Sequence, residues 1–328
     1  VETTHEPRRA ATLLVLVATA ALAACTPAGP EFEDLPWAHL GRPSFVGLPE
    51  PEFGAAALRE TGRDWAIARR TLEWAREHAL DTVPIGRRMA ILGSVFVGTP
   101  YAPGTLELRG PEGVVVNLRA FDCVTLVEHV LVLARLVDHD DASLLADERQ
   151  LRRTYRDELA RVRYRGGVLA GYPSRLHYFS DWIRDAEGKG LLDDVTAELG
   201  GTPDPRPIDF MTRNTGSYRQ LGEDPSAVEA IREVEAELNR HERRFIPEEE
   251  IEDREAGIED GDIIAAVSAL EGLDVAHTGL ALRYEGRVYL LHAPLVGDSV
   301  EISERPLAER IQDISGQVGI IVARPQGR

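Results

Sequence analysis

From Val124 to Val137 the chain is apolar with few polar breaks. A run apolar on nearly all sides forms a buried central helix, and the rest of the chain must cover it. Phe121-Asp122-Cys123 stands immediately before it. A thiol at the first turn of such a helix faces unpaired backbone N–H groups and the positive end of the dipole. Both favour the thiolate, so Cys123 is a candidate nucleophile. The competing reading is a core cysteine that packs as a small hydrophobe.

The chain has 328 residues, enough for one large domain or two small ones. Its net charge of −18 argues against a nucleic-acid partner, because phosphate binding requires a basic face. Arg8 and Arg9 precede an apolar stretch from Ala10 to Ala24 that closes on Leu22-Ala23-Ala24-Cys25. A charged start, a short apolar centre and small residues before a cleavage point make a secretory leader over residues 1–24. The stretch is short for a membrane span. Leu-Ala-Ala-Cys resembles the bacterial lipobox, which marks Cys25 for lipidation and the chain for a lipid-anchored, extracytoplasmic place in the bacterial envelope. An ordinary leader that happens to carry a cysteine is the other reading. If Cys25 carries lipid, Cys123 is left without a disulfide partner, and an unpaired thiol in an exported protein calls for a function.

Residues 25–54, rich in Pro, Gly and acidic side chains, read as a tether. Residues 55–328 then form the catalytic domain. Its first part is helical, with Leu58, Trp65, Ala68, Leu72, Trp74, Ala75 and Ala79 recurring mostly at three- and four-residue steps. A turn at Val97-Gly98-Thr99-Pro100-Tyr101 and a short strand candidate at Val114 to Leu118 precede the Cys123 helix. An insertion spans about 138–260. It includes a stretch from Arg163 to Trp182 that sets rings, arginines and a histidine among glycines, a composition frequent in binding loops and equally in loops that pack on a core. Asp262–Val267, Val275–Arg283, Arg287–Ala293 and Val318–Ala323 are strand-length apolar runs. Helices first and strands afterwards indicate an α+β fold with an antiparallel sheet.

Tyr284-Glu285-Gly286 separates two of these runs. A two-residue loop at Glu285-Gly286 sets Gly279 opposite His292 and puts His277 two residues along, on the same face. Diagonal neighbours on one face lie roughly 7–8 Å apart, within reach of long side chains. Gly279 leaves the space between the rings empty. Two imidazoles on one face can act as base and orienter for a thiol. A zinc site made of Cys123, His277 and His292 is an alternative, although no closely spaced ligand pair anchors it.

Phe121-Asp122-Cys123, Ala276-His277-Thr278-Gly279-Leu280 and Leu291-His292-Ala293 resemble the three signatures of the NlpC-type cell-wall cysteine hydrolases, which have a papain-like fold. Cys123 to Glu128, Arg163-Tyr164-Arg165, Pro173 to Trp182 and Gly261 to Ile264 are similar to the narrower N-acetylmuramoyl-L-alanine amidase branch. Val124-Thr125 stands where many members have Ser-Gly, and Pro294 follows Ala293.

The resemblance implies Cys123 as nucleophile, His277 as base, His292 as orienter and Tyr101 as an oxyanion donor, with no metal or organic cofactor. It implies peptidoglycan or its fragments as the partner. Arg175 and His177 are candidates for the stem peptide's carboxylates, with Tyr178 and Trp182 shaping the groove. Asp122 is a candidate for a free peptide amine, a role it would have in the rival reading, an endopeptidase cutting between D-glutamate and the diamino acid. A non-catalytic glycan-binding lipoprotein and an acyltransferase are further alternatives.

Overall fold

The computed structural model describes residues 29–50, 52, 54, 58–138 and 144–327. The leader and Cys25 lie outside the described residues. The chain opens into α1 (Gly62–Glu77) and α2 (Ile85–Val95), followed by α3 (Cys123–Val137). On α3 every residue from Thr125 to Ala134 is buried, as the length of the apolar run requires. Helix α1 begins with a reciprocal cap between Thr61 and Asp64. The buried Asp64 also accepts the backbone N–H of Leu118 at 2.8 Å and Arg119 Nε at 3.0 Å. One carboxylate therefore ties the approach to α3 onto the start of α1.

The insertion comprises α4 (Glu148–Arg163), α5 (Phe179–Gly188), β1 (Leu192–Asp194), β2 (Thr202–Pro203), α6 (Phe210–Arg213), α7 (Arg219–Glu223), α8 (Pro225–Leu238), β3 (Arg244–Pro247) and α9 (Ile251–Arg254). The last part comprises β4 (Ile263–Ser268), β5 (Val275–Tyr284), β6 (Arg287–His292), β7 (Glu301–Ile302), α10 (Leu307–Asp313) and β8 (Gln317–Pro325). The strands form one antiparallel sheet in the order β2-β3-β8-β4-β5-β6-β7, with β1 also on β8.

Alternation along the strands divides the core in two. Ile263, Ala265, Leu280, Leu282 and Leu291 pack with the residues of α1, α2 and α3. Ile264, Ala266, Ala281, Val288 and Leu290 face the other way, onto Leu307, Ala308 and Ile311 of α10. The β5–β6 hairpin closes through Glu285 and Gly286 at φ 48° and 83°. Both lie in the left-handed region that a two-residue turn of this hand demands.

Three expectations about organisation need revision. The segment read as a tether is packed down from Phe32 to Leu48: Phe32, Leu35 and Trp37 are buried, and Trp37 Nε1 donates to Ser94 Oγ at 3.0 Å inside the core. Its apolar residues are few, but they are large enough to hold it against α2. The insertion is not only helical, since it supplies three strands to the sheet. Residues 114–118 form no strand. The backbone N–H of Val116 goes to Arg59 O at 2.7 Å, and the carbonyl of Val115 takes Arg163.

Candidate active site

Cys123 is the first residue of α3 and Asp122 is its cap. Asp122 Oδ1 accepts the Thr125 backbone N–H at 2.8 Å, and Thr125 Oγ1 accepts the Asp122 N–H at 2.9 Å. This reciprocal pair fixes the direction from which Cys123 enters the helix. In front of it the loop around Tyr101 is bonded to the same approach strand. Phe121 N–H donates to Pro100 O at 3.0 Å and Ala102 N–H to Phe121 O at 2.9 Å. The Tyr101 N–H donates to Asp298 O at 2.9 Å, which joins this loop to the one that follows β6.

The hairpin register places Gly279 opposite His292, and His277 Nε2 lies 2.8 Å from His292 Nδ1. The rings meet edge to face. A methyl group on Gly279 would stand 2.9 Å from His292 Cβ and 2.6 Å from the Leu291 carbonyl oxygen, so only glycine leaves room for the pair. Pairing between β5 and β6 ends at Gly279 and His292. Thr278 lies just beyond, and its backbone N–H bears on the Cys123 sulfur together with the N–H groups of Val124 and Cys123. The strand position that follows His277 thus lies near the sulfur.

The electrostatics differ from the expectation of a thiolate. Burial, reinforced by the Asp122 carboxylate, pushes the Cys123 thiol up to about 12, and the three N–H groups only partly offset it. Burial, with help from the Arg310 cation, brings His277 down to about 3 and holds His292 well below the usual imidazole range. Burial, then the neighbouring Cys123 and Asp122, push the Tyr101 phenol up to about 12. The resting site is thus a neutral thiol, a neutral imidazole pair and a neutral phenol. The helix dipole loses because desolvation of a half-buried thiol costs more than the first-turn N–H groups return. His277 and His292 also direct facing nitrogens at each other, which does not suit two ligands of one metal. Among the described residues no three His, Cys, Asp or Glu side chains gather as a metal would require.

The aromatic and arginine-rich stretch is structural where it was expected to hold substrate. Arg175 is buried; Nη2 donates to Glu107 Oε1 at 2.5 Å, Nη1 donates to Leu106 O at 3.1 Å, and Glu112 lies 3.7 Å away. Its fork is spent on the chain's own carboxylates. His177 bonds the Tyr172 carbonyl at 2.9 Å, and burial brings it down to about 3. Tyr178 is buried with its hydroxyl on Glu235 at 2.7 Å, and Trp182 is fully buried against Phe179. Tyr178 packs within the insertion's own apolar cluster, His177 lies on the Tyr172 ring of that cluster, and Trp182 belongs to the main core. Arg163 is likewise internal, paired at 2.7 Å with Glu128 of α3.

Sequence reasoning passed over Thr278, which acts through its backbone. It also passed over Glu301 and Arg310, which stand beside the histidine pair on a two-residue strand and a seven-residue helix. Elements that short leave no periodic signal.

A family described as AmiA-like, N-acetylmuramoyl-L-alanine amidase-like, matches residues 91–320. No curated protein matches the chain. Among solved structures, an N-acetylmuramoyl-L-alanine amidase from Bacteroides uniformis is 34% identical, covering 74% of this chain and 99% of its own, with a TM-score of 0.67. A Bacteroides fragilis protein provisionally named a xylanase is 33% identical over 71% of this chain and 98% of its own, at a TM-score of 0.63. Protein LPG0564 of Legionella pneumophila, 19% identical over 84% of this chain and 98% of its own, shares the fold at a TM-score of 0.56.

Proposed function

Because the chain belongs to the N-acetylmuramoyl-L-alanine amidase-like family, we propose that it is a cysteine amidase of the papain-like, NlpC type. It cleaves the bond between N-acetylmuramic acid and L-alanine in peptidoglycan or its fragments. What supports the cysteine mechanism is that Cys123 opens α3, with the Thr278 N–H bearing on its sulfur, while the adjacent His277 is bonded to His292.

The reaction starts from neutral partners. As the Cys123 sulfur attacks the lactyl carbonyl carbon, its proton passes to His277, so thiolate and imidazolium form only during attack. The carbonyl oxygen becomes an oxyanion that the Cys123 backbone N–H and the Tyr101 hydroxyl receive. The tetrahedral adduct collapses with loss of the C–N bond, and His277 returns its proton to the L-alanine nitrogen. Water then attacks the thioester, giving one proton to His277; the sulfur departs and takes that proton back as the thiol, and the freed lactyl carboxylic acid loses its remaining proton to solvent. Asp122 keeps one oxygen in the helix cap and offers the other to substrate.

We also place the protein outside the cytoplasm, tethered by lipid on Cys25 after removal of residues 1–24, on the strength of the leader pattern. No helix among the described residues is long and apolar enough to cross a membrane. Membrane partitioning of the native chain, lost in Cys25→Ser, tests this anchor.

The decisive experiment is mass spectrometry of muropeptides incubated with the full chain and with Cys123→Ala. Free sugar plus intact stem peptide from the first, and no product from the second, is the expected result. A clipped stem with the sugar still attached would reassign the chain as an endopeptidase. Full activity in Cys123→Ala would end the thiol mechanism.

A further inference from the structure

The imidazole chain does not end at His292. Its Nε2 is buried and has no hydrogen-bond partner among the described residues. Glu301 is the register partner of His292 across the β6–β7 pair, and its Oε1 stands 3.6 Å from that nitrogen. This is about 0.7 Å beyond an ordinary N–H···O bond, a gap that a small side-chain rotation closes. His277, Gly279, His292 and Glu301 therefore share one face of the sheet. Helix α10 covers that face and brings Arg310, which has a buried Nη1 without a partner and interacts electrostatically with Glu301 and both rings.

We infer that Glu301 is the positioning residue that sets the tautomer of both histidines. A carboxylate beside Nε2 of His292 requires the proton to be there, and this leaves Nδ1 with a lone pair. Nδ1 must then accept from Nε2–H of His277 across 2.8 Å. His277 is left with its lone pair on Nδ1, the nitrogen available to take the thiol proton. Without Glu301, His292 is free to carry its proton on Nδ1 and donate it to His277 Nε2. The proton of His277 then sits on Nδ1, and the ring cannot accept from sulfur. Burial raises the Glu301 carboxyl above its ordinary value, and the Arg310 cation partly offsets this in favour of the carboxylate.

The inference rests on the amidase reading for its activity arm only. With histidines labelled in ¹⁵N, the ring shifts of the full chain at neutral pH report the tautomers without substrate. Nε2–H is expected on both His277 and His292, assigned by His277→Gln and His292→Gln. In Glu301→Ala the shifts should move toward Nδ1–H, and kcat for muramyl-peptide cleavage should fall roughly 10²-fold with KM within about twofold. Glu301→Gln keeps an acceptor oxygen and should recover most of the tautomer population and part of kcat. Glu301→Met serves if the Ala variant fails to fold. Unchanged shifts in Glu301→Ala or Glu301→Met would overturn the inference, whatever happens to kcat. A native chain that shows the expected shifts and does not cleave muramyl-peptides would instead refute the amidase reading alone.

Discussion

His277 Nε2 and His292 Nδ1 face each other at 2.8 Å across the last residue pair of a hairpin. The contact exists because a two-residue turn sets the register and Gly279 leaves the face open between the rings. Each ring uses one nitrogen on the other, so His277 keeps a single nitrogen, Nδ1, for any further partner.

Replacing the orienter should separate its role from that of the base. His292→Ala is expected to lower kcat about 10²-fold or more with little change in KM, because His277 keeps its place but loses its tautomer. His292→Asn, whose side-chain oxygen can still accept from His277 Nε2, should retain more. Steady-state kinetics on a defined muramyl-peptide measures both.

Tyr101 is a neutral donor across the working range, since burial and the neighbouring Cys123 and Asp122 push it up to about 12. Tyr101→Phe removes one oxyanion donor and should cost about 10²–10³ in kcat. The pH profile between 6 and 9 should keep its shape, because no group titrating there has been removed.

The Glu128–Arg163 pair is buried on both sides, and Arg163 also donates to Val115 O at 2.8 Å. Glu128→Ala or Arg163→Ala strands a charge in the core and should destabilise the fold by about 3–5 kcal/mol. Replacing both with Leu and Met should recover much of that loss. Urea unfolding midpoints of the three variants provide the comparison.

Acid should unfold the protein through its buried histidines. His277 and His177 both drop to about 3 in the folded chain, against about 6.5 when unfolded. Between these values the unfolded chain binds more protons than the folded one, so stability is fully present above pH 6.5 and declines as pH falls toward 3. The upper limit is roughly 1.4 kcal/mol per pH unit for each histidine. His177→Gln should flatten the fall in Tm between pH 7 and 4, and an unchanged slope would contradict the burial argument for that ring.

The α3 run, the four longer strands and the hairpin register were legible in the sequence because each is a local pattern. A fully apolar helix, alternation by twos and a Glu-Gly turn are written in neighbouring residues. The arginine and aromatic stretch left two readings open for the opposite reason. Composition does not say whether a ring or a guanidinium faces water or a partner, and Glu107, Glu112 and Glu235 lie far away along the chain from the groups they bind. Glu301 and Arg310 were invisible because their elements are too short to show a period.

By itself, then, the sequence determined the buried α3 helix, the four longer strands and their hairpin register, and which cysteine and histidines could do chemistry, since backbone pattern and turn geometry are short-range. Folding alone decided the protonation state of those groups, because desolvation of the sulfur and the rings and the field of Arg310 on the rings exist only once distant segments close over them.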